Sequence, residues 1–123
     1  MGKRVLVVDD DIPTVELIRG ALEQEGLDVG VAHDGASCLL AIAQQHPDLL
    51  ILDVVMPVMD GFHTLAALRD NPDTHDIPVL MLTARDDDIA VARGWREGVD
   101  LYLTKPFAMS TVVMAVKRML EAQ

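Results

Sequence analysis

The feature that most constrains this chain is a rhythm. Five short apolar runs, at residues 4–8, 28–32, 49–52, 79–82 and 101–103, alternate with longer stretches whose apolar residues recur at helical spacing. The helical sets are Val15, Ile18 and Leu22; Ala36, Leu39, Leu40 and Ala43; Phe62, Leu65 and Leu68; a less regular one over 86–97; and Met109, Val112, Val116, Met119 and Leu120. Five strand–helix units in succession predict an α/β domain, with an open parallel sheet and helices on both faces.

The runs differ in how completely apolar they are. VLVV, LLIL and VLML are apolar at every position, as central strands covered on both faces must be. DVGVA alternates and LYLT is mixed, which suits edges. Placing strands 2 and 5 at opposite edges yields the order 2-1-3-4-5, the flavodoxin-like (βα)5 arrangement. Punctuation agrees, with Asp11 and Pro13 at a helix start and Gly26 and Gly98 at helix exits. No repeat, low-complexity tract or linker interrupts residues 1–123, so a single domain is expected, with no room after the fifth helix for an output domain.

Composition narrows the function. Half the residues are hydrophobic but only four are aromatic, so the core must be aliphatic. A formal charge of −10 speaks against a nucleic-acid or anionic-membrane surface, because both need clustered Lys and Arg. Cys38 is the only cysteine, which excludes an intrachain disulfide and fits a reducing compartment. The apolar run after Lys3 and Arg4 ends at Asp9, too short for a signal peptide or a span, and a cytoplasmic location is the expectation.

The acids are placed where chemistry would be. In an open α/β sheet, ligands bind beyond the carboxyl ends of the strands, near the switch point, here between strands 1 and 3. Strand 1 ends in Asp9-Asp10-Asp11 and strand 3 in Asp53, a carboxylate set against four apolar residues. Strand 4 delivers Thr83 and Ala84 to the same edge, and strand 5 delivers Thr104 and Lys105. Carboxylates so gathered repel one another unless a cation sits among them, and a hard, oxygen-seeking ion such as Mg²⁺ or Mn²⁺ suits them. Asp53 is thus expected to be paired with a divalent metal and Lys105.

The set VLVVDDD, DLLILDVVMPVMDG, VLMLTA and DLYLTKPF, in that order, closely resembles the receiver domain of two-component response regulators. The resemblance spans essentially the whole chain without large insertions. It implies that Asp53 is the phosphoacceptor, taking a phosphoryl group from a histidine kinase, a phosphotransfer protein or a small phosphodonor. It implies that Asp10 and Asp53 ligate Mg²⁺ directly, Asp9 through water, and Val55 through its carbonyl. Lys105 would pair with the phosphoryl oxygens, before a Lys105–Pro106 bond that is usually cis in the family. The Thr83 hydroxyl and Ala84 N–H would hold the phosphoryl group, and Tyr102 would follow the movement of Thr83. Val55 and Arg85 occupy the positions that set the hydrolysis rate of the acyl phosphate. The surface of helix 4, strand 5 and helix 5, with Val91, Trp95, Tyr102, Phe107 and Val112, would be the output face, serving an effector or a second copy. Such a domain is a signalling protein and not an enzyme, and its chemistry is intelligible without the family. Phosphoryl transfer needs an in-line nucleophile and charge neutralisation more than covalent help.

Other readings explain less. Asp9-x-Asp11 also resembles the nucleophile motif of haloacid-dehalogenase-type phosphohydrolases, but that leaves Asp53 and DVVMPVMDG without a role. A degenerate receiver acting only as a binding module conflicts with an intact set of acceptor-site positions. Several residues have plainer readings: Asp11 and Asp60 as helix-start residues, Asp86-Asp87-Asp88 as an acidic first turn, Cys38 as packing, and the four histidines as solvated or loop positions.

Overall fold

The computed structural model describes residues 2–56, 59–84 and 88–122. Pro57, Arg85, Asp86 and Asp87 lie outside the described residues, and with them the hydrolysis-rate position at 85 and most of the acidic first turn. The strands are β1 (Arg4–Val8), β2 (Asp28–Ala32), β3 (Leu49–Leu52), β4 (Val79–Thr83) and β5 (Leu101–Thr104). The helices are α1 (Ile12–Gln24), α2 (Gly35–Gln44), α3 (Gly61–Asp70), α4 (Asp88–Glu97) and α5 (Met109–Glu121). The sheet is parallel throughout, in the order β2-β1-β3-β4-β5. Strands β4 and β5 each run one residue further than their apolar patterns suggest, because Thr83 and Thr104 pair with each other at the sheet's carboxyl edge.

Side chains alternate across the sheet and divide the core in two. Leu6, Val8, Leu50, Leu52, Val79 and Met81 point to one face, where Cys38, Ile42, Phe62, Leu65, Leu68 and Ala90 of α2, α3 and α4 cover them. Val5, Val7, Leu49, Ile51, Leu80 and Leu82 point to the other, under Val15, Ile18 and Leu22 of α1 and Val112, Val116 and Leu120 of α5. The three all-apolar strands are central because only there are both faces buried.

The buried face of α2 differs from the expected one. Cys38 and Ile42 are buried, Leu39 and Ala41 lie partly against the core, Leu40 is 68 % exposed, and Ala36 and Ala43 also face solvent. Nearly every residue of GASCLLAIAQ is apolar or small, so its periodicity cannot fix the rotation of the helix. Contact with α3 fixes it instead: a Cβ at Gly35 would lie 2.3 Å from the Thr64 hydroxyl. Val112 is also corrected. It is completely buried beneath the sheet and cannot belong to an output surface.

Helix ends follow local chemistry. Asp60 caps α3 by accepting the His63 N–H at 2.9 Å, and the His63 ring reaches the same oxygen. Asp11 is the N-cap of α1, but its carboxylate accepts the Thr14 hydroxyl and no backbone amide. Pro13 removes one of the two amides a cap normally serves. Gly26 and Gly98 take positive φ at the ends of α1 and α4, as their exit positions require.

The fold also contains a clamp with no sequence signature. Arg69 of α3 donates from Nε and Nη2 to the Gly98 carbonyl at 3.0 and 2.8 Å. Its Nη1 reaches the His75 and Ile77 carbonyls at 2.9 and 2.7 Å, and Nη2 pairs with Asp100. Asp100 in turn accepts the Val79 N–H at 2.7 Å. One guanidinium therefore ties the end of α3 to the entry of β4 and to the turn between α4 and β5.

Candidate functional site

Four strand ends build the site. Asp9 follows β1 and is fixed by its own backbone, whose N–H donates to the Ala32 carbonyl at 3.2 Å. Asp53 follows β3 and donates its N–H to the Val8 carbonyl at 3.0 Å, so the two carboxylates leave adjacent strands side by side. Behind Asp53 the chain closes tightly: Gly61 donates to the Val54 carbonyl at 2.9 Å, and a Cβ at Gly61 would lie 2.2 Å from the Asp53 carbonyl oxygen. Only glycine lets α3 begin so close to the end of β3.

Oxygens of Asp9, Asp10 and Asp53 lie within 4.8 Å of one another. Asp9 and Asp53 are buried, at 3 and 4 % exposure, and Asp10 is open to solvent. The Lys105 ammonium enters from β5 and stands 2.9 Å from Asp9 Oδ2 and 3.5 Å from Asp53 Oδ2. Lys105 thus binds both carboxylates, and its shorter contact is to Asp9 rather than to the expected Asp53. The Lys105–Pro106 peptide bond is cis. Asp9 Oδ1 accepts the Asp11 N–H at 3.0 Å, Asp53 Oδ1 accepts the Val55 N–H at 3.3 Å, and the buried Thr83 hydroxyl also bonds Asp53.

The electrostatics leave room for a cation. Burial holds the Asp53 carboxyl above its ordinary range, the Thr83 hydrogen bond opposes this, the Asp9 charge raises it further, and Lys105 and the Val55 amide pull it down. Lys105 is held above its usual range by its hydrogen bond to Asp9 and the charges of both aspartates, against the effect of burial. Three carboxylates facing one ammonium carry two uncompensated negative charges when ionised. An all-oxygen donor set with one solvent-facing member fits Mg²⁺, which keeps several of its waters.

The remaining expected residues surround this cluster or lie beyond it. Ala84 follows Thr83 at the exposed edge, and Val55 is 54 % exposed beside Asp53. Tyr102 pairs in register with Met81, two residues before Thr83, so Tyr102 and Thr83 stand on one face of the sheet. Trp95 is 51 % exposed on α4, Val91 is partly exposed, and Phe107 packs partly on the α1–α5 side of the core. His33, read from the sequence as a loop histidine, brings Nδ1 to 3.2 Å from the Asp9 carbonyl oxygen. Sequence carries no signal for that contact, because it depends on how the β2–α2 loop crosses the sheet edge.

Fold and site together define a phosphoacceptor domain of two-component signalling. The chain belongs to the response regulator receiver domain family, whose model matches residues 5–117. It is 42 % identical over 120 residues to the response regulator MprA of Mycobacterium bovis, covering 98 % of this chain and 51 % of that protein. MprA of Mycobacterium avium is 43 % identical over 117 residues. The chain therefore spans about half the length of these curated relatives. Among solved structures, a putative response regulator from Chloroflexus aurantiacus superposes with a TM-score of 0.92 at 36 % identity, over 98 % of this chain and 99 % of that one. The chemotaxis response regulator CheY4 of Vibrio cholerae superposes with a TM-score of 0.90 at 32 % identity, over 97 and 99 %. Membership makes this a signalling receiver domain. Among the described residues no helix is long and apolar enough to cross a membrane.

Proposed function

We propose that Asp53 is the residue phosphorylated and that the other groups at the edge divide the work of transfer among them. The observation that carries this reading is the meeting of Asp9, Asp10 and Asp53 with the Lys105 ammonium and the Thr83 hydroxyl. An Asp53 carboxylate oxygen attacks phosphorus, a P–O bond forms, and the bond to the donor breaks, with its electron pair leaving on the donor nitrogen or oxygen. Mg²⁺ held by Asp10 and Asp53, by the Val55 carbonyl, and by Asp9 through water supplies charge neutralisation when bound. Lys105 neutralises a second phosphoryl oxygen, and Thr83 with the Ala84 N–H binds a third. Because Lys105 is shared with Asp9, the same ammonium holds the carboxylates apart from full repulsion before the donor arrives. Incubation with acetyl phosphate should label the wild type only when Mg²⁺ is present and should leave Asp53→Asn unlabelled. Equal labelling of the variant would refute the assignment.

The output surface in this reading is formed by α4, β5 and the exposed side of α5. Half-exposed Trp95, with Val91 one turn before it and Tyr102 on the adjoining strand, gives that surface the aromatic character of a binding hot spot. Thr83 moving toward a phosphoryl group would draw Tyr102 with it, shifting the population toward the partner-binding form. As the sole tryptophan, Trp95 should change its fluorescence on adding Mg²⁺ and beryllofluoride. An unchanged spectrum, with unaltered self-association in Trp95→Ala, would place the output elsewhere.

A further inference from the structure

Gly94 stands in the interior of α4, where glycine costs about 1 kcal/mol relative to alanine, and the helix needs no bend or cap there. What it provides is space. A Cβ at Gly94 would lie 3.0 Å from Cδ2 and 3.1 Å from Cε2 of Tyr102, closer than side-chain carbons ordinarily approach. The Tyr102 ring thus rests on bare helix backbone, partly buried against the cluster that contains Ala90 and Val99. The helix is held at two neighbouring points. The Arg93 guanidinium sits 4.6 Å over the ring of Phe62 in α3, and the Gly98 carbonyl is gripped by Arg69.

We propose that Gly94 is a positioning residue of the switch: the space left by its missing side chain seats the Tyr102 ring against α4. Through this seat the Thr83–Tyr102 movement reaches the helix that carries Trp95. The proposal rests on the phosphoacceptor reading above. Two observations join here. Thr83 is bonded to Asp53 while Tyr102 is seated, and the two side chains share one face of the sheet. The seated ring therefore belongs to the arrangement in which Thr83 is drawn toward the acceptor. A methyl group at position 94 displaces the ring by a few tenths of an ångström and disfavours that arrangement.

The test is a double-mutant cycle read by calorimetric titration of beryllofluoride in excess Mg²⁺, with urea midpoints measured alongside. Gly94→Ala should weaken binding about fivefold in the wild type and in Tyr102→Phe, which keeps the ring. It should have no effect in Tyr102→Ala, where nothing occupies the seat. Equal weakening in the presence and absence of the ring, or no weakening with the ring present, overturns the proposal. Should Gly94→Ala fail to fold, adding Tyr102→Ala must restore folding, and a double variant that stays unfolded also overturns it. Undiminished beryllofluoride binding by Asp53→Asn, or none by the wild type, would instead show that the phosphoacceptor reading itself is wrong.

Discussion

Asp53→Asn should make the metal-free protein more stable, although it removes the residue on which the function depends. Asp53 and Asp9 are almost wholly buried, and their nearest oxygens are no more than 4.8 Å apart. At that separation two full charges repel by about 3.5 kcal/mol in an effective dielectric of about 20. On the same arithmetic Lys105, 3.5 Å from Asp53, returns about 4.7 kcal/mol, so a net cost of the Asp53 charge, on the order of 1–3 kcal/mol, is left by burial, the largest influence on that carboxylate. The pH dependence follows from the raised pKa. The folded protein holds the Asp53 proton more tightly than the unfolded chain, so stability falls as pH rises from the ordinary value of 3.8 through the folded value. Urea denaturation at pH 7 in a chelator should therefore place the Asp53→Asn midpoint above that of the wild type. The gap should narrow as the solution is acidified. Adding Mg²⁺ should narrow it too, because the wild type keeps the Asp53 ligand that the variant lacks and gains about 2.7 kcal/mol at a hundredfold excess over Kd. A variant equal to or less stable than the wild type without metal would show that Lys105 and Thr83 already compensate the buried charge.

Three further outcomes follow from particular contacts. Arg69→Ala leaves the Gly98, His75 and Ile77 carbonyls without their donor and should cost about 2–4 kcal/mol in urea denaturation; a loss well under about 1 kcal/mol would mean that water replaces the guanidinium. The Cys38 thiol, fully buried and pushed up to about 12 chiefly by burial, should resist alkylation at mildly alkaline pH until the protein unfolds; rapid labelling of the native protein would contradict its packing role. Val55→Asn combined with Arg85→Glu should shorten the lifetime of the acyl phosphate, since valine cannot hydrogen-bond an attacking water and a guanidinium is no base; phosphate loss at the wild-type rate would refute this.

The strands, their order and the carboxylate edge were legible because each rests on a pattern confined to one segment. An apolar run bounded by an acid identifies β1 and β3 wherever the rest of the chain goes. The face of α2 was not legible, because Leu40 and Ile42 are equally apolar and only α3 decides which is buried. Val112 was misplaced for a related reason: TVVMAV is apolar around most of the helix, and the sheet selects Val112 and Val116. Lys105 could be brought to the acids by topology, but its closer approach to Asp9 depends on side-chain reach across 96 residues of sequence separation. The Arg69 clamp joins a side chain to distant carbonyls, and carbonyls have no sequence identity. Gly94 did leave a trace, as a glycine inside a helical pattern, although the ring that explains it comes from the next strand.

The central claim, that Asp53 carries the phosphoryl group, is tested most directly by reductive trapping. Borohydride converts an aspartyl phosphate to homoserine, and peptide mass mapping then locates the altered residue. After incubation with acetyl phosphate and Mg²⁺, the account predicts homoserine at position 53, and none when Mg²⁺ is withheld. Conversion at Asp9, Asp10 or Asp60, or at no aspartate despite phosphate incorporation, would contradict it.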